Sequence, residues 1–525
     1  LRIEGITPGS IEERKTVSFL KSALRESLDQ VYYVDVPVYA WSWSCLVEIN
    51  GSTRPCVLLP YSLGVDLTVN PSEIVRIEDI ALLDEVNIED KVVLLSYPRN
   101  HVELRLITNI VAEKNPRLIL LNTGITGLLK ADVVLGSTGF TYTPTSPLKT
   151  PVVCLDEAST REMLSHGGRV LAKSSMEKTT GNIIAGYLNG SGEDEVHVTA
   201  HHDNIIGAPD STPSQYLIKI AENLGKANLP VNIVFVSYTS REIGDLEFTE
   251  YHYNWGERYL LSILENKGEL EKTLYAVSIG PLNMGGELLA MGHPVLREYL
   301  PSNQVIFSEN TFHTESHSYM EHGVPSVTFT TLNSLKYRNT NIVGSTGDRG
   351  VLVGELVDLL KRLLSNVKPR DEWIRVLREH SISVLGDAVL SARIEATRLM
   401  DLMHQLPLIK GVKTVTKTAY TTFYYYCLQP FKAHVESALW CNLARRNLDA
   451  LSQVLGTCRK HLVIGDEYKS LKLNMPSVFG DQYLDLILES TVKNLRSIIN
   501  NELFKTTCIK LMRCYKSVEE NHRDR

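Results

Sequence analysis

From Ser10 onward, Val17, Leu20 and Leu24 recur at helical spacing, and Ser10-Ile11-Glu12-Glu13 has the form of a capping box. The pattern predicts an amphipathic helix running to about Leu28, followed by a β-rich, turn-rich stretch. Between Pro55 and Arg169 the pattern changes to that of a small α/β unit. It predicts a strand over Lys91–Tyr97, a helix from Val102 to Lys114, a strand over Leu118–Asn122, and a Thr-, Gly- and Pro-rich loop over Gly136–Pro151. This unit reads as an insertion. The alternation then becomes β-α-β. Strands are expected over Asn182–Leu188, Glu195–Ala200, Val231–Tyr238, Tyr275–Ile279 and Ser326–Thr331, and helices over Ser214–Gly225, Asn254–Asn266 and Arg349–Leu364. Such an order implies an α/β fold, a mostly parallel or mixed sheet with helices on both faces. Pro369-Arg370-Asp371 marks a boundary. Beyond it Ile374, Leu377, Ile382 and Leu385, and later Leu484, Ile487, Leu488, Val492, Leu495 and Ile498, predict a helical bundle. The expected organisation is a discontinuous core (1–54 and 170–368), an insertion (55–169) and a C-terminal helical bundle (369–525).

Composition narrows the function. A chain of 525 residues, 43% hydrophobic and 22% charged, is globular. Its 54 basic and 61 acidic residues give a net charge of -7 with no long run of either sign, so nucleic acid is not an expected partner. No stretch of about 18 apolar residues is present, so no membrane span is expected. Leu1 to Ser10 lack the basic-then-apolar build of a signal peptide, and the expected location is cytoplasmic. The eight cysteines contain no Cys-x-x-Cys pair and are expected to be buried, reduced core residues.

The chemistry concentrates in one region, where eight of the 15 histidines lie between His197 and His322. The strand over Val196–Ala200 runs into His201-His202-Asp203 and then Gly207-Ala208-Pro209-Asp210. Two candidate ligands and an orienting carboxylate therefore hang from the C-terminal end of a strand, the edge at which open α/β sheets bind ligands. A His-x-Asp step suits a metal, since the carboxylate can hold the ring nitrogen that does not ligate; a buried structural histidine is the competing reading. The next buried strand ends in Arg241-Glu242 and a turn at Gly244. His313 and His317 are four residues apart, but the glutamate between them is misplaced for His-Glu-x-x-His. No phosphate-binding Gly-rich loop and no Gly-x-Ser-x-Gly elbow occurs, so nucleotide hydrolysis and serine esterase chemistry have no footing.

These segments, with the insertion and the stretch Glu315-Ser316-His317 to Gly323-Val324-Pro325, resemble the co-catalytic zinc aminopeptidase family that includes glutamate carboxypeptidase II and transferrin receptor. The resemblance covers Leu1 to Leu364. It implies that the insertion corresponds to a protease-associated domain and the helical end to a dimerising bundle, hence a homodimer. It places the first zinc-binding His on His201, the orienting Asp on Asp203 and the metal-bridging Asp on Asp210. The family's Glu-Glu pair, general base then ligand, falls on Arg241-Glu242. Its next Asp ligand falls at Ser278-Ile279-Gly280-Pro281, where no carboxylate stands, and its last His falls on Arg338 within Tyr337-Arg338-Asn339. Each zinc site thus keeps two protein ligands where a catalytic zinc needs three, with His202, Asp203 and His317 as the nearest substitutes.

Arginine cannot serve as a base and pairs with carboxylates. The expected cleft is therefore an ion-pair cluster of Arg241 and Arg338 with Asp203, Asp210 or Glu242. Zinc is expected to be weak or absent, catalysis lost, and the cleft a site for a peptide or protein partner. The alternative is a metal-dependent aminopeptidase with rearranged ligands.

Overall fold

The structure, a computed structural model, describes residues 5–380 apart from 79–82, 84, 99–100, 137–144, 207–212, 226, 228, 249–252, 283, 302–303, 310–313, 337, 342–348, 371, 374 and 378. Asp210, His313 and all of the expected helical bundle beyond residue 380 lie outside the described residues.

Helix α1 (Ile11–Arg25) starts where the capping pattern puts it. The Ser10 side chain accepts the Glu13 N–H at 3.0 Å, and the Glu13 carboxylate turns back to accept the Gly9 N–H at 2.5 Å. Its apolar stripe, Val17, Leu20 and Leu24, is buried. Next come β1 (Gln30–Ile49), β2 (Ser52–Pro55), β3 (Val57–Leu58), β4 (Val65–Val69), β5 (Ile74–Arg76), β6 (Val92–Ser96), α2 (His101–Ala112), β7 (Leu118–Asn122), β8 (Val152–Leu155) and α3 (Glu157–His166). The chain continues through β9 (Gly168–Leu188), β10 (Glu195–His201), α4 (Pro213–Leu224), β11 (Asn232–Tyr238), α5 (Trp255–Asn266), β12 (Thr273–Ile279), β13 (Leu288–Gly292) and β14 (Ile306–Ser308). It then forms α6 (Glu315–Glu321), β15 (Ser326–Thr331), α7 (Leu332–Lys336) and α8 (Arg349–Ser365).

Two sheets result. The larger, of ten strands, runs β14-β13-β15-β12-β10-β11-β9-β1-β2, with β4 added on β9; the smaller runs β3-β8-β7-β6-β5. At the centre of the larger sheet β10 is parallel to β11 and β12, and β12 is parallel to β15. The flanking pairs β11·β9 and β13·β15 are antiparallel, so the sheet is mixed. Period-two alternation along β11 feeds both faces: Ile233 and Phe235 pack with the residues of α1, α4 and α8, whereas Val234 and Val236 pack with Leu260 of α5. The fold is the expected mixed α/β sheet with helices on both faces. Trp373 and Leu377, past the Pro369 boundary, also pack into this main core, and Trp373 Nε1–H donates to the Leu274 carbonyl at 3.0 Å.

The turn-rich stretch after α1 is in fact one long strand. β1 pairs antiparallel with β9 from Gln30↔Tyr187 to Glu48↔Arg169, a ribbon on which the insertion is carried. The reduced-thiol expectation is overturned for two cysteines: Cys45 and Cys56 form a disulfide. The β1–β2 hairpin, turning at Asn50-Gly51 with φ of 48° and 74°, pairs Leu46 with Pro55 and so brings the next residues outward, Cys45 and Cys56, face to face. Cys154 is free and buried.

Candidate functional site

The parallel strands β10, β11, β12 and β15 all end at one edge of the sheet, at His201, Tyr238, Ile279 and Thr331. Just past β11, Ser240 sits in the left-handed region at φ 57°, and the chain turns there to present Arg241 and Glu242. This C-terminal edge is where open α/β sheets bind ligands, and the polar side chains of the residues that follow the strands collect there.

His201 is buried, and its Nδ1–H donates to the Asp203 carbonyl at 2.8 Å, which leaves the lone pair on Nε2 without a hydrogen-bond partner. Burial, with the nearby Arg241 charge, holds the ring well below the usual imidazole range and therefore neutral. The Asp203 carboxylate accepts the Arg241 backbone N–H at 2.9 Å, and burial pushes its carboxyl up to about 8. The Arg241 side chain is held between two acids: Nε donates to Glu315 Oε1 at 2.6 Å, and a terminal nitrogen pairs with Glu242. Glu242 Oε2 accepts in addition from Asn339 Nδ2 at 3.4 Å.

His201, Asp203, Arg241 and Glu242 are thus brought into one buried cluster. Of three other residues singled out in the sequence, His202 is engaged on the α1 side. His202 faces α1, its Nδ1 2.9 Å from Ser237 Oγ and its Nε2 3.5 Å from Glu13 Oε1, all three residues being fully buried. His317 lies half-buried on α6. Arg338 is half-buried beyond α7, near Tyr253. Burial raises the Tyr253 hydroxyl, and Arg105, Arg338 and Arg241 act in the opposite direction. At Gly280 the backbone N–H donates to the Phe329 carbonyl at 2.8 Å. A Cβ there would lie 3.2 Å from that oxygen and 3.3 Å from Thr328 Cγ2, so the position has little room for a carboxylate side chain.

Three contributors were missed in the sequence. Glu315 opens the short helix α6, and an acidic residue in a first turn reads as helix capping rather than as the partner of an arginine 74 residues away. Asn339 and Asp132 join across 207 residues, Asn339 Nδ2 donating to Asp132 Oδ1 at 3.3 Å.

Among the described residues, which do not include Asp210, the donors do not come together as a zinc site. His201 Nε2 is oriented and free, but Glu242 is committed to Arg241 and Asn339. Among the described residues, no three His, Cys, Asp or Glu side chains come together as a metal-binding group. Zinc in a catalytic site takes three protein ligands. What the cluster can do is hold an arginine by two carboxylates out of water and present one unprotonated imidazole nitrogen.

No protein-family profile matches the sequence, and no curated protein matches it significantly. Solved structures do match in fold. A peptidase M28 precursor from Shewanella amazonensis is 16% identical with a TM-score of 0.52, covering 70% of this chain and 91% of its own. A zinc aminopeptidase from Bacillus subtilis is 14% identical with a TM-score of 0.49, covering 69% and 92%. At these identities the likeness is one of fold, and it rests on the first of the two. The mixed sheet with flanking helices is therefore aminopeptidase-like.

Proposed function

We propose that this chain is a non-catalytic protein built on the zinc aminopeptidase fold, whose former active-site cleft binds a peptide or protein partner. On this reading the insertion is a protease-associated domain like that of glutamate carboxypeptidase II and transferrin receptor, zinc binding is weak or absent, and the chain is a homodimer. The observation that carries the proposal is Arg241. A guanidinium held by Glu242 and Glu315 supplies positive charge beside a carboxylate that the resemblance assigns to zinc. Two unit charges about 4 Å apart repel by about 4 kcal/mol at an effective dielectric of about 20, so a zinc ion beside Arg241 would be strongly disfavoured.

One observation favours the second reading, a metal-dependent aminopeptidase with rearranged ligands: the lone pair of His201 Nε2 points from a neutral, correctly oriented ring and has no partner. Zinc content by mass spectrometry, with turnover of aminoacyl p-nitroanilides, separates the two. The proposal expects zinc below one equivalent and no chelator-sensitive turnover; two tightly bound zinc ions with chelator-sensitive hydrolysis would overturn it. No helix among the described residues is long and apolar enough to cross a membrane. The Cys45–Cys56 disulfide weighs against the cytoplasmic expectation, because such bonds persist mainly in oxidising compartments.

A further inference from the structure

Two surface turns carry the same tripeptide. Asn50-Gly51-Ser52 closes β1 onto β2, and Asn189-Gly190-Ser191 follows the last residue of β9. Of all the asparagines in the chain, these alone are followed by a residue other than proline and then by serine or threonine; Asn70-Pro71-Ser72 has the proline that disqualifies it. An Asn-x-Ser/Thr tripeptide on a surface loop is the acceptor of N-linked sugar in secreted chains.

The backbone accounts for part of each tripeptide. Asn50 and Gly51 take the left-handed conformations, φ 48° and 74°, that a two-residue hairpin turn requires. Gly190 packs too closely for any side chain, since a Cβ there would lie 2.1 Å from the Val231 carbonyl oxygen. Neither turn requires a serine at the third position. Ser52 is exposed. The Ser191 hydroxyl makes long contacts, 3.3 Å to the Leu229 carbonyl and 3.4 Å to that of Pro230, and its own backbone N–H already reaches the first of these at 3.0 Å.

Both asparagines have room for a bulky group. Asn50 and Asn189 are exposed, and a Cβ built on Gly51 would meet nothing within 4 Å, so the β1–β2 turn stands clear in solvent. The Gly190 N–H donates to Asn232 Oδ1 at 2.9 Å, which puts Asn189 beside the start of β11, whereas Arg241 and Glu242 follow its end. Sugar on Asn189 therefore leaves the cleft edge open. A further observation is independent of the tripeptides: the disulfide-bonded Cys45 and Cys56 bracket the hairpin whose turn is Asn50-Gly51. Such a bond persists mainly in the oxidising compartments through which secreted chains pass.

We propose that Asn50 and Asn189 are N-glycosylation sites and that the chain matures in an oxidising compartment. The donor is an oligosaccharide carried on a lipid phosphate. The asparagine Nδ2 attacks the anomeric carbon, the bond from that carbon to the phosphate oxygen breaks, and the lipid phosphate leaves with the amide proton. The assignment does not depend on what the cleft binds.

Peptide mapping by mass spectrometry of the full chain from its own cells, with thiols alkylated before any reductant is added, tests both halves. Most copies should carry sugar on the peptides that hold Asn50 and Asn189, and Cys45 and Cys56 should appear as one linked pair. Ser52→Ala and Ser191→Ala, expressed in the same cells, should each abolish the sugar at their own site and leave the other in place. An unmodified Asn50 or Asn189 overturns the assignment of that residue, and aspartate without sugar, the deamidation product of Asn-Gly, counts the same way. Sugar that survives the serine replacement at its own site would also overturn it. Cys45 and Cys56 found separately alkylated would overturn the oxidising compartment.

Discussion

Replacing Arg241 by alanine is expected to be the most damaging single change at the cleft. The three groups involved are almost fully removed from water: Arg241 is 6% exposed, Glu242 4% and Glu315 2%. One guanidinium serves both acids, with 2.6 Å from Nε to Glu315 Oε1. Truncation leaves two desolvated carboxylates facing each other without a countercharge. Breaking a single buried pair costs about 3–5 kcal/mol, and the shared geometry places this case toward the upper half of that range. At roughly 2–4 °C per kcal/mol for a domain of this size, the unfolding midpoint should fall by about 8–20 °C. The backbone N–H of residue 241 still reaches Asp203, so that hydrogen bond does not contribute to the loss. The logic is sharpened by removing the acids as well. Arg241→Met with Glu242→Leu and Glu315→Leu should recover most of the loss, because replacing a whole buried ionic group by apolar side chains is often neutral or stabilising. Equilibrium denaturation of parent, single and triple variants supplies the comparison. A cost below about 1 kcal/mol for Arg241→Ala, or a triple variant no better than the single, would show that the guanidinium is solvated and pairs with neither acid.

Three further outcomes follow from burial and pairing. Burial raises Asp203 to about 8 from its ordinary 3.8, so between those values the native state holds a proton that the unfolded chain does not; stability from this group is intact below about pH 4 and declines as pH rises toward 8. Asp203→Asn keeps an acceptor for the Arg241 N–H and should flatten that decline, as denaturation midpoints at pH 5 and pH 8 would reveal. Cys154, its thiol pushed up to about 12 by burial, should resist iodoacetamide at pH 8 in the folded chain and label in denaturant, which peptide mass mapping checks. The Cys45–Cys56 disulfide closes a short loop, 11 residues apart in sequence; Cys45→Ala/Cys56→Ala should lose about 3 kcal/mol in chemical denaturation.

The sheet's central strands were readable from their patterns: Val231–Tyr238 is mostly apolar and Glu195–Ala200 alternates, with Val196, Val198 and Ala200 apolar, and each lies within about one residue of its position in the fold. The β1–β9 ribbon was not, apart from its last residues at Asn182–Leu188. Trp41 to Ile49 do alternate buried and exposed, a period-two signal that supports the β-rich reading, but the start of β1 is largely exposed and the stretch Ser174 to Thr180 of β9 is largely polar and exposed, so neither the strands' full length nor their pairing was marked. Asn50-Gly51 was the available signal for the β1–β2 hairpin and, through it, for the disulfide. At the cleft, His201, Asp203, Arg241 and Glu242 were legible because they follow strand ends directly. Glu315, Asn339 and Asp132 were not, since each reaches the site from a segment far along the chain, and no local pattern marks a side chain whose partner is more than 70 residues away.

The ribbon has a consequence for how such a chain can be assembled from parts. Glu48 pairs with Arg169, so the points where the backbone leaves the core sheet and returns to it are neighbours across one ladder. Topologically the whole insertion occupies the turn of a β-hairpin. A graft that joins residue 49 to residue 168 through two residues would close the β1–β9 hairpin but remove the edge strands β2 and β4 and the Cys45–Cys56 disulfide, and a foreign domain with adjacent termini could be seated at the same place. The exchange would not be silent, since Asn339 and Asn341 would lose Asp132, Leu129 and Gly127. The insertion is thus a cassette by its backbone and a fitted part by its side chains.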